Sequence, residues 1–178
     1  ILKKCDKYKL TVQEKAYVLA TVEHETDATY KPIREYGGHI YFTDMYEGRE
    51  DLGNTQAGDG ARFSGKGYVQ LTGRANYEKY SKILDKPLVS NPDLVLDTEI
   101  AAEILVHGMT YGIFTGRKLS DYITGSRIDY VGARTIINGN DRDQLIAGYA
   151  EEWLKFLKTN TPKTLSPVEN SFMAGLAN

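Results

Sequence analysis

Cysteine is nearly missing from this chain. Cys5 stands alone in 178 residues, which excludes an internal disulfide framework and any zinc site built from cysteines. Histidine is scarce too: His24, His39 and His107 are the whole supply, too few for a histidine-rich metal centre. His24-Glu25 would open a zinc-binding HExxH helix only with a second histidine at position 28, which is Ala28. No charge of one sign dominates. Against 22 Lys and Arg stand 24 Asp and Glu, a net of −2 with a pI near 6.0, so bulk attraction to nucleic acid or to an anionic membrane is excluded as the basis of function. No apolar run approaches the roughly 18 residues a membrane span needs. The start, Ile1-Leu2-Lys3-Lys4-Cys5, has no initiator methionine and is not a secretory signal.

What is present fits an ordinary globular protein. Hydrophobic residues at 41% and charged residues at 26% argue against wholesale disorder, and the length allows one domain with a sizeable core but not two full ones. The expectation is a single domain over residues 1–160, with 161–178, which contains Pro162 and Pro167, as a tail or linker.

Along the chain, Thr11 followed by Glu14 spells a capping box. The helix behind it is apolar nearly all round, as a buried helix should be, and carries Glu23-His24-Glu25 at its C-terminal end. From Thr26 to Gly67 periodicity fades and glycines recur, a length of turn-rich chain that is usually functional or flexible. Short strands or a hairpin are expected at Ile40–Phe42 and Tyr68–Leu71. Helical patterns return after Gly73: one with Tyr77, Tyr80 and Leu84 on a face and Pro87 as its stop, and one capped by Asp97 with Ile100, Ala101, Ile104, Leu105 and Gly108 inside. A third opens at Ser126 and Asp129 and runs to Ile137. The last is capped by Asp141 with Gln144 and has Leu145, Ile146, Tyr149, Trp153, Phe156 and Leu157 on one side. The fold class expected is mainly α, with the glycine-rich excursion forming one wall of a cleft.

One motif is a decoy. Gly60 to Lys66 spells the opening of a phosphate loop, but Gly67 stands where magnesium needs Ser or Thr, and no strong strand precedes it. The carboxylates say more. Glu25 sits where a buried helix runs out into the excursion, a half-buried place that disfavours the charged form and suits a general acid. Glu35 follows ten residues later in a loop, where a carboxylate stays ionised and can act as a base. Two carboxyls in split environments are what glycosidic hydrolysis requires, although most of the 24 acids are ordinary solvated surface. In Gly65–Tyr77, a strand over Tyr68–Leu71 would put Tyr68, Gln70 and Thr72 on one side. Their neutral hydrogen-bonding groups suit sugar hydroxyls and a positioned water; alternatively Gln70 and Asn76 tie down the turn backbone.

His24-Glu25-Thr26, Glu35 and the run Gly65-Lys66-Gly67-Tyr68-Val69-Gln70-Leu71-Thr72-Gly73-Arg74-Ala75-Asn76-Tyr77 together resemble the family 19 chitinases and the related phage and bacterial endolysins. Asp51-Leu52-Gly53-Asn54-Thr55 and Ile136-Ile137-Asn138-Gly139 add to the likeness, which covers roughly residues 10 to 157. The resemblance implies a lysozyme-like, two-lobed helical domain with a glycine-rich loop and short β-hairpin region lining a substrate cleft. It implies inverting hydrolysis of β-1,4 links next to N-acetylated sugars, without metal or organic cofactor. Glu25 matches the general acid and Thr72 the residue that helps hold the attacking water. His24, Tyr68, Gln70, Asn76 and Asn138 match sugar- or loop-positioning residues. The ten-residue spacing of the phage and bacterial members selects Glu35 as the base, with Glu47 and Glu50 in reserve, as plant members place it further along. Where the commoner pattern is Glu-Thr-Gly-Gly, this chain has Glu25-Thr26-Asp27-Ala28.

The expected substrate is bacterial peptidoglycan, with chitin as the alternative, and the expected state is a monomer with no nucleic-acid partner. A lytic transglycosylase and a non-catalytic glycan-binding module are the other classes. The expected place of action is the cell wall, periplasmic or extracellular, with the protein held in the cytoplasm until lysis because no signal peptide is seen.

Overall fold

A computed structural model describes residues 1–160; the expected tail, 161–178, lies outside the described residues. The element order is α1 (Leu2–Lys7), α2 (Val12–Glu25), β1 (Ile33–Arg34), α3 (His39–Tyr46), α4 (Asp59–Arg62), β2 (Lys66–Gly67), α5 (Arg74–Leu84), α6 (Thr98–Tyr111), α7 (Leu119–Tyr122) and α8 (Asp143–Asn160). Short 3-10 turns occupy Glu50–Leu52, Pro92–Leu96 and Gly132–Ile136. The fold is mainly α and compatible with a lysozyme-like architecture.

Of the caps read from the sequence, those at Thr11 and Asp97 are made as spelled. Thr11 accepts from the Glu14 N–H while Glu14 accepts from the Thr11 N–H, and the Asp97 carboxylate accepts from the Glu99 and Ile100 N–H groups. Each satisfies donors that a helix start leaves orphaned, worth about 1 kcal/mol. Residues Ala16 to Val22 of α2 are buried on all sides. Helix α8 packs along α2, and Tyr17 stacks on Tyr130 at 5.7 Å.

Helix α6 is shared by two apolar clusters. Ala101, Ala102, Leu105, Val106 and Met109 join α2, Ile146 and Ile136 in one cluster. Ile104 faces Phe63, Leu71, Tyr77, Tyr80, Leu88 and Val95 in the other. A two-stranded antiparallel sheet pairs Ile33 with Gly67 and Arg34 with Lys66, and so fastens the start of the excursion to its end.

Several local expectations are corrected. Ile40–Phe42 belongs to α3: Phe42 is buried and stacks on Tyr46 one turn later, a helical rather than alternating spacing. Tyr68–Leu71 is a tight turn closed by Leu71 N–H to Lys66 O and Lys66 N–H to Leu71 O. Gln70 adopts φ 52°, so strand alternation does not hold there. Helix α5 ends at Leu84, because Asp85 turns left-handed at φ 50° before Pro87 is reached. Asp129, not Ser126, holds the start of the next turn by accepting from the Gly132 N–H. That turn is a five-residue 3-10 segment, preceded by α7, which no periodicity announced. Helix α8 begins at Asp143, so Asp141 is not its cap. Its buried stripe is Ile146, Ala147 and Ala150, with Leu145 and Phe156 left exposed. Small alanines there let α8 lie close against α2.

Candidate functional site

Glu25 is the last residue of α2, and its side chain is 20% exposed. The half-buried place expected of it is found, with a partner the sequence did not announce. Arg134, 3% exposed in the 3-10 segment, donates from Nη1 to Glu25 Oε1 at 2.6 Å and from Nε to the Asp141 carbonyl at 2.9 Å. Glu25 Oε2 has no partner among the described residues. His24 lies half-buried beside it. Past the helix end, buried Thr26 donates to the Val22 carbonyl and accepts from the Tyr30 N–H. Asp27, Ala28 and Tyr30 are left-handed at φ 47°, 55° and 54°. The chain therefore makes a hard turn at the two positions where the commoner pattern carries glycine.

Glu35 is also half-buried, and both of its oxygens are held. Tyr46 donates its hydroxyl to Oε1 at 2.7 Å and the Gly65 N–H donates to Oε2 at 3.0 Å. The Glu35 N–H in turn donates to the Gly65 carbonyl at 2.8 Å. Burial and then the neighbouring carboxylate push the Tyr46 phenol up to about 12, so it remains a donor. Gly65 has a steric reason to be glycine: a Cβ there would lie 2.8 Å from Gln70 Oε1 and 3.0 Å from Glu35 Oε2. Both acceptors thus converge on one bare backbone position.

Gln70 donates from Nε2 to the Ile33 and Gly67 carbonyls, both at 3.2 Å, while its Oε1 is buried with no partner. The two carbonyl acceptors fix which end of the amide is which, so the orphan is a true acceptor waiting for a donor. Thr72 commits its hydroxyl hydrogen to the Gln70 carbonyl at 2.8 Å and keeps lone pairs to offer. Asn76 donates to the Thr72 carbonyl at 2.8 Å, so its amide nitrogen braces the turn. Tyr68 is 2% exposed and its hydroxyl donates to the Tyr30 carbonyl; it is core, and it ties the Gln70 turn to the segment leaving Glu25. Asn138 is exposed, accepts from the Gly139 N–H, and follows Arg134 by one hydrogen-bonded turn.

The reserve bases differ from Glu35. Glu47 spends both oxygens on the Gly58 and Gly60 N–H groups, a loop-closing role. Glu50 is exposed on a 3-10 turn. Asn54, fully buried, bridges the Tyr46 carbonyl and the Arg74 N–H, while Arg74 forms a two-point pair with buried Asp59. These braces explain why the Asp51–Thr55 and Gly73–Tyr77 segments go together. The phosphate-loop decoy is settled by Lys66, which is buried and donates to the Arg62 and Ser64 carbonyls of its own loop; burial lowers its pKa to about 8.

Two groups therefore form: Glu25 with Arg134 and, through Asp141, the approach to α8; and Glu35 with Tyr46, Gly65, Gln70 and Thr72. Arg134 and Tyr46 were missed from the sequence. For Arg134 the available signal is a lone cation in the apolar stretch Val131–Ile137. A hollow of about 510 Å³ beside the second group is lined by Arg34, Glu35, Tyr36, Gly37 and Gly38. A larger one, about 730 Å³, lies by Tyr8, Glu103, His107 and Tyr111 and is lined by none of the predicted site residues; its size alone assigns it no chemistry. Among the described residues no helix is long and apolar enough to cross a membrane.

No protein-family profile matches the chain. Over 84 residues, 47% of this chain, it is 37% identical to an acidic endochitinase of Petunia hybrida, of which it spans 29%. This partial likeness supports a glycoside hydrolase-type function.

Proposed function

We propose that this protein is an endolysin-like glycosidase that cleaves β-1,4 links of N-acetylated glycans in bacterial peptidoglycan by an inverting acid/base mechanism. The observation that carries the reading is the Glu35 carboxylate, fixed by Tyr46 and Gly65 beside the orphan acceptor of Gln70. Each Glu35 oxygen accepts one hydrogen bond and retains a lone pair for an attacking water. Thr72, its own hydrogen committed, accepts the other hydrogen of that water. Gln70 Oε1 takes a hydroxyl or acetamido N–H of the sugar. Glu25, steadied at Oε1 by Arg134, gives a proton from Oε2 to the leaving oxygen. Inversion requires the two carboxyls about 6.5–9.5 Å apart, with the water between them, against about 5–5.5 Å for a covalent route.

Peptidoglycan is preferred on the ten-residue spacing of Glu25 and Glu35, which resembles the phage and bacterial branch. The petunia relative favours chitin as the second reading. The protein would act on the wall as a monomeric catalytic domain over residues 1–160. The deciding experiment incubates the parent, Glu25→Gln and Glu35→Gln with peptidoglycan glycan and with chitin oligomers, reading products by mass spectrometry and NMR. The expected result is new reducing ends of inverted configuration from the parent and none from Glu25→Gln. Anhydro-sugars, with activity surviving Glu35→Gln, would make it a lytic transglycosylase; binding with no cleavage would make it a glycan-binding module.

A further inference from the structure

The ten residues after Glu35 carry an unusual amount of apolar surface. Tyr36 is fully exposed, Ile40 is 78% exposed, and Tyr41 and Met45 are 45% exposed each. Scattered single apolar residues need no explanation, but several drawn from one short segment mark an interaction surface. Tyr41 and Met45 lie one turn apart on α3, and Tyr36 precedes the helix in the turn that runs through Gly37 and Gly38.

The inner side of the same helix is committed. Phe42 is buried against Tyr46, and Tyr46 holds Glu35. Thus α3 is bound to the proposed base at both ends, by the chain at its start and by the Tyr46 hydroxyl at its finish. The turn that carries Tyr36 fits closely on the helix. A Cβ on Gly37 would come within 2.5 Å of Tyr41 Cδ1 and 2.9 Å of Phe42 Cε1, so the turn and the helix form one surface. None of the four exposed side chains is charged. Tyr36 and Gly37 line the 510 Å³ hollow together with Glu35, and Gly37 packs on Tyr41 of α3, so this surface adjoins a space that holds only a few sugar rings, whereas a polymer runs on past it.

We propose that Tyr36, Ile40, Tyr41 and Met45 form a platform for the pyranose faces of the glycan strand beyond the cleaved link, on the Glu35 side of the site. Pyranose rings present flat C–H faces, and rigid aromatic and aliphatic side chains cover them with little loss of side-chain freedom. The platform rests on the glycosidase reading above. It makes the enzyme favour long strands over short oligomers, because only a long strand reaches both the carboxyls and α3.

The test reads binding without cleavage, in Glu25→Gln protein. That variant is expected to bind insoluble peptidoglycan. Adding Ile40→Ser and Met45→Ser, which lie outside the lining of the hollow, is expected to weaken that binding at least tenfold with an unchanged melting temperature, and Ile40→Leu with Met45→Leu to preserve it. In the active background the same pair raises KM on polymer and leaves turnover of a short soluble oligomer within twofold. Polymer binding within twofold of the Glu25→Gln parent would overturn the platform alone. So would a dimer on size exclusion that the pair turns into monomer with binding intact, since a second copy would then be the occupant. If Glu25→Gln protein bound no glycan, the platform and the glycosidase reading would fall together.

Discussion

Arg134 Nη1 lies 2.6 Å from Glu25 Oε1 across 109 residues of sequence. The guanidinium is buried and held from its other side by the Asp141 carbonyl. Its planar fork serves both partners at once, which a lysine ammonium does not reproduce. Breaking a buried pair by removing one member costs about 3–5 kcal/mol. Arg134→Ala is therefore expected to melt roughly 10 °C lower, at about 2–4 °C per kcal/mol for a chain of this size. It should also lose about a hundredfold in kcat, because Glu25 loses its fixed direction. Arg134→Lys should fall between the two. An Arg134→Ala protein with parental melting and turnover would show that the pair neither stabilises the fold nor aims the acid.

Tyr46, Glu35, Glu47 and Glu50 form a series that separates base from brace. Glu35→Gln should lower kcat by about 10²–10⁴. Tyr46→Phe removes one hydrogen bond to that carboxylate and should cost about tenfold in kcat, equivalent to about 1.4 kcal/mol, with an unchanged fold. Glu47→Gln puts an amide hydrogen where a backbone donor needs an acceptor, so it should lower stability by about 1–3 kcal/mol. Glu50→Gln should do nothing. A dead Glu50→Gln enzyme beside an active Glu35→Gln one would move the base to position 50.

How much of this was legible beforehand depends on the range of the forces involved. The caps at Thr11 and Asp97 are written within three residues and read correctly. Ile40-Tyr41-Phe42 is too short a run to separate a period of 2 from one of 3.6, and only the packing of Phe42 on Tyr46 decides it. The Gln70 turn was misread because alternation assumes extended backbone, and nothing local announces φ 52°. The partnership of Glu25 with Arg134 is wholly tertiary. The Glu35 cluster was half-legible: the glutamate and the Gly65–Asn76 run stood out, but the Tyr46 hydroxyl did not. Sequence alone also suggested Tyr68 as a sugar contact, where burial makes it core.

Ala28, at φ 55°, holds a conformation that costs a residue with a Cβ about 1–2 kcal/mol. Glycine relieves that strain and gives part of it back through a freer unfolded chain. Ala28→Gly should be net stabilising by about 0.5–1 kcal/mol, raising the melting temperature by about 1–4 °C. Asp27→Gly, at φ 47°, should act in the same direction. A lower melting temperature for both would mean that the side chains at this turn make contacts outweighing the backbone strain.

Glu103 supplies a pH prediction that does not depend on Glu25 or Glu35. Burial alone would raise its carboxyl, but hydrogen bonds from Lys7, Tyr8 and Lys4 outweigh burial and bring it down to about 2. A carboxyl depressed in the folded state binds its proton more readily when unfolded. Its contribution is therefore complete above the unfolded value near 4.5 and is lost as pH falls from there through about 2. The shift corresponds to about 3 kcal/mol. Glu103→Gln should lower stability by that order at pH 7, measured by urea unfolding, and the gap between parent and variant should narrow steadily below pH 4.5 and nearly close by pH 2. The variant also leaves Lys4 and Lys7 without their shared anion, so Glu103→Leu with Lys4→Leu and Lys7→Leu is the cleaner comparison. It should recover much of the neutral-pH loss and lack the Glu103 part of the acid dependence, keeping only that of other depressed carboxyls such as Asp59 and Asp93. A gap between parent and Glu103→Gln that stays constant from pH 7 to pH 2 would show that the cluster acts by packing and not by charge.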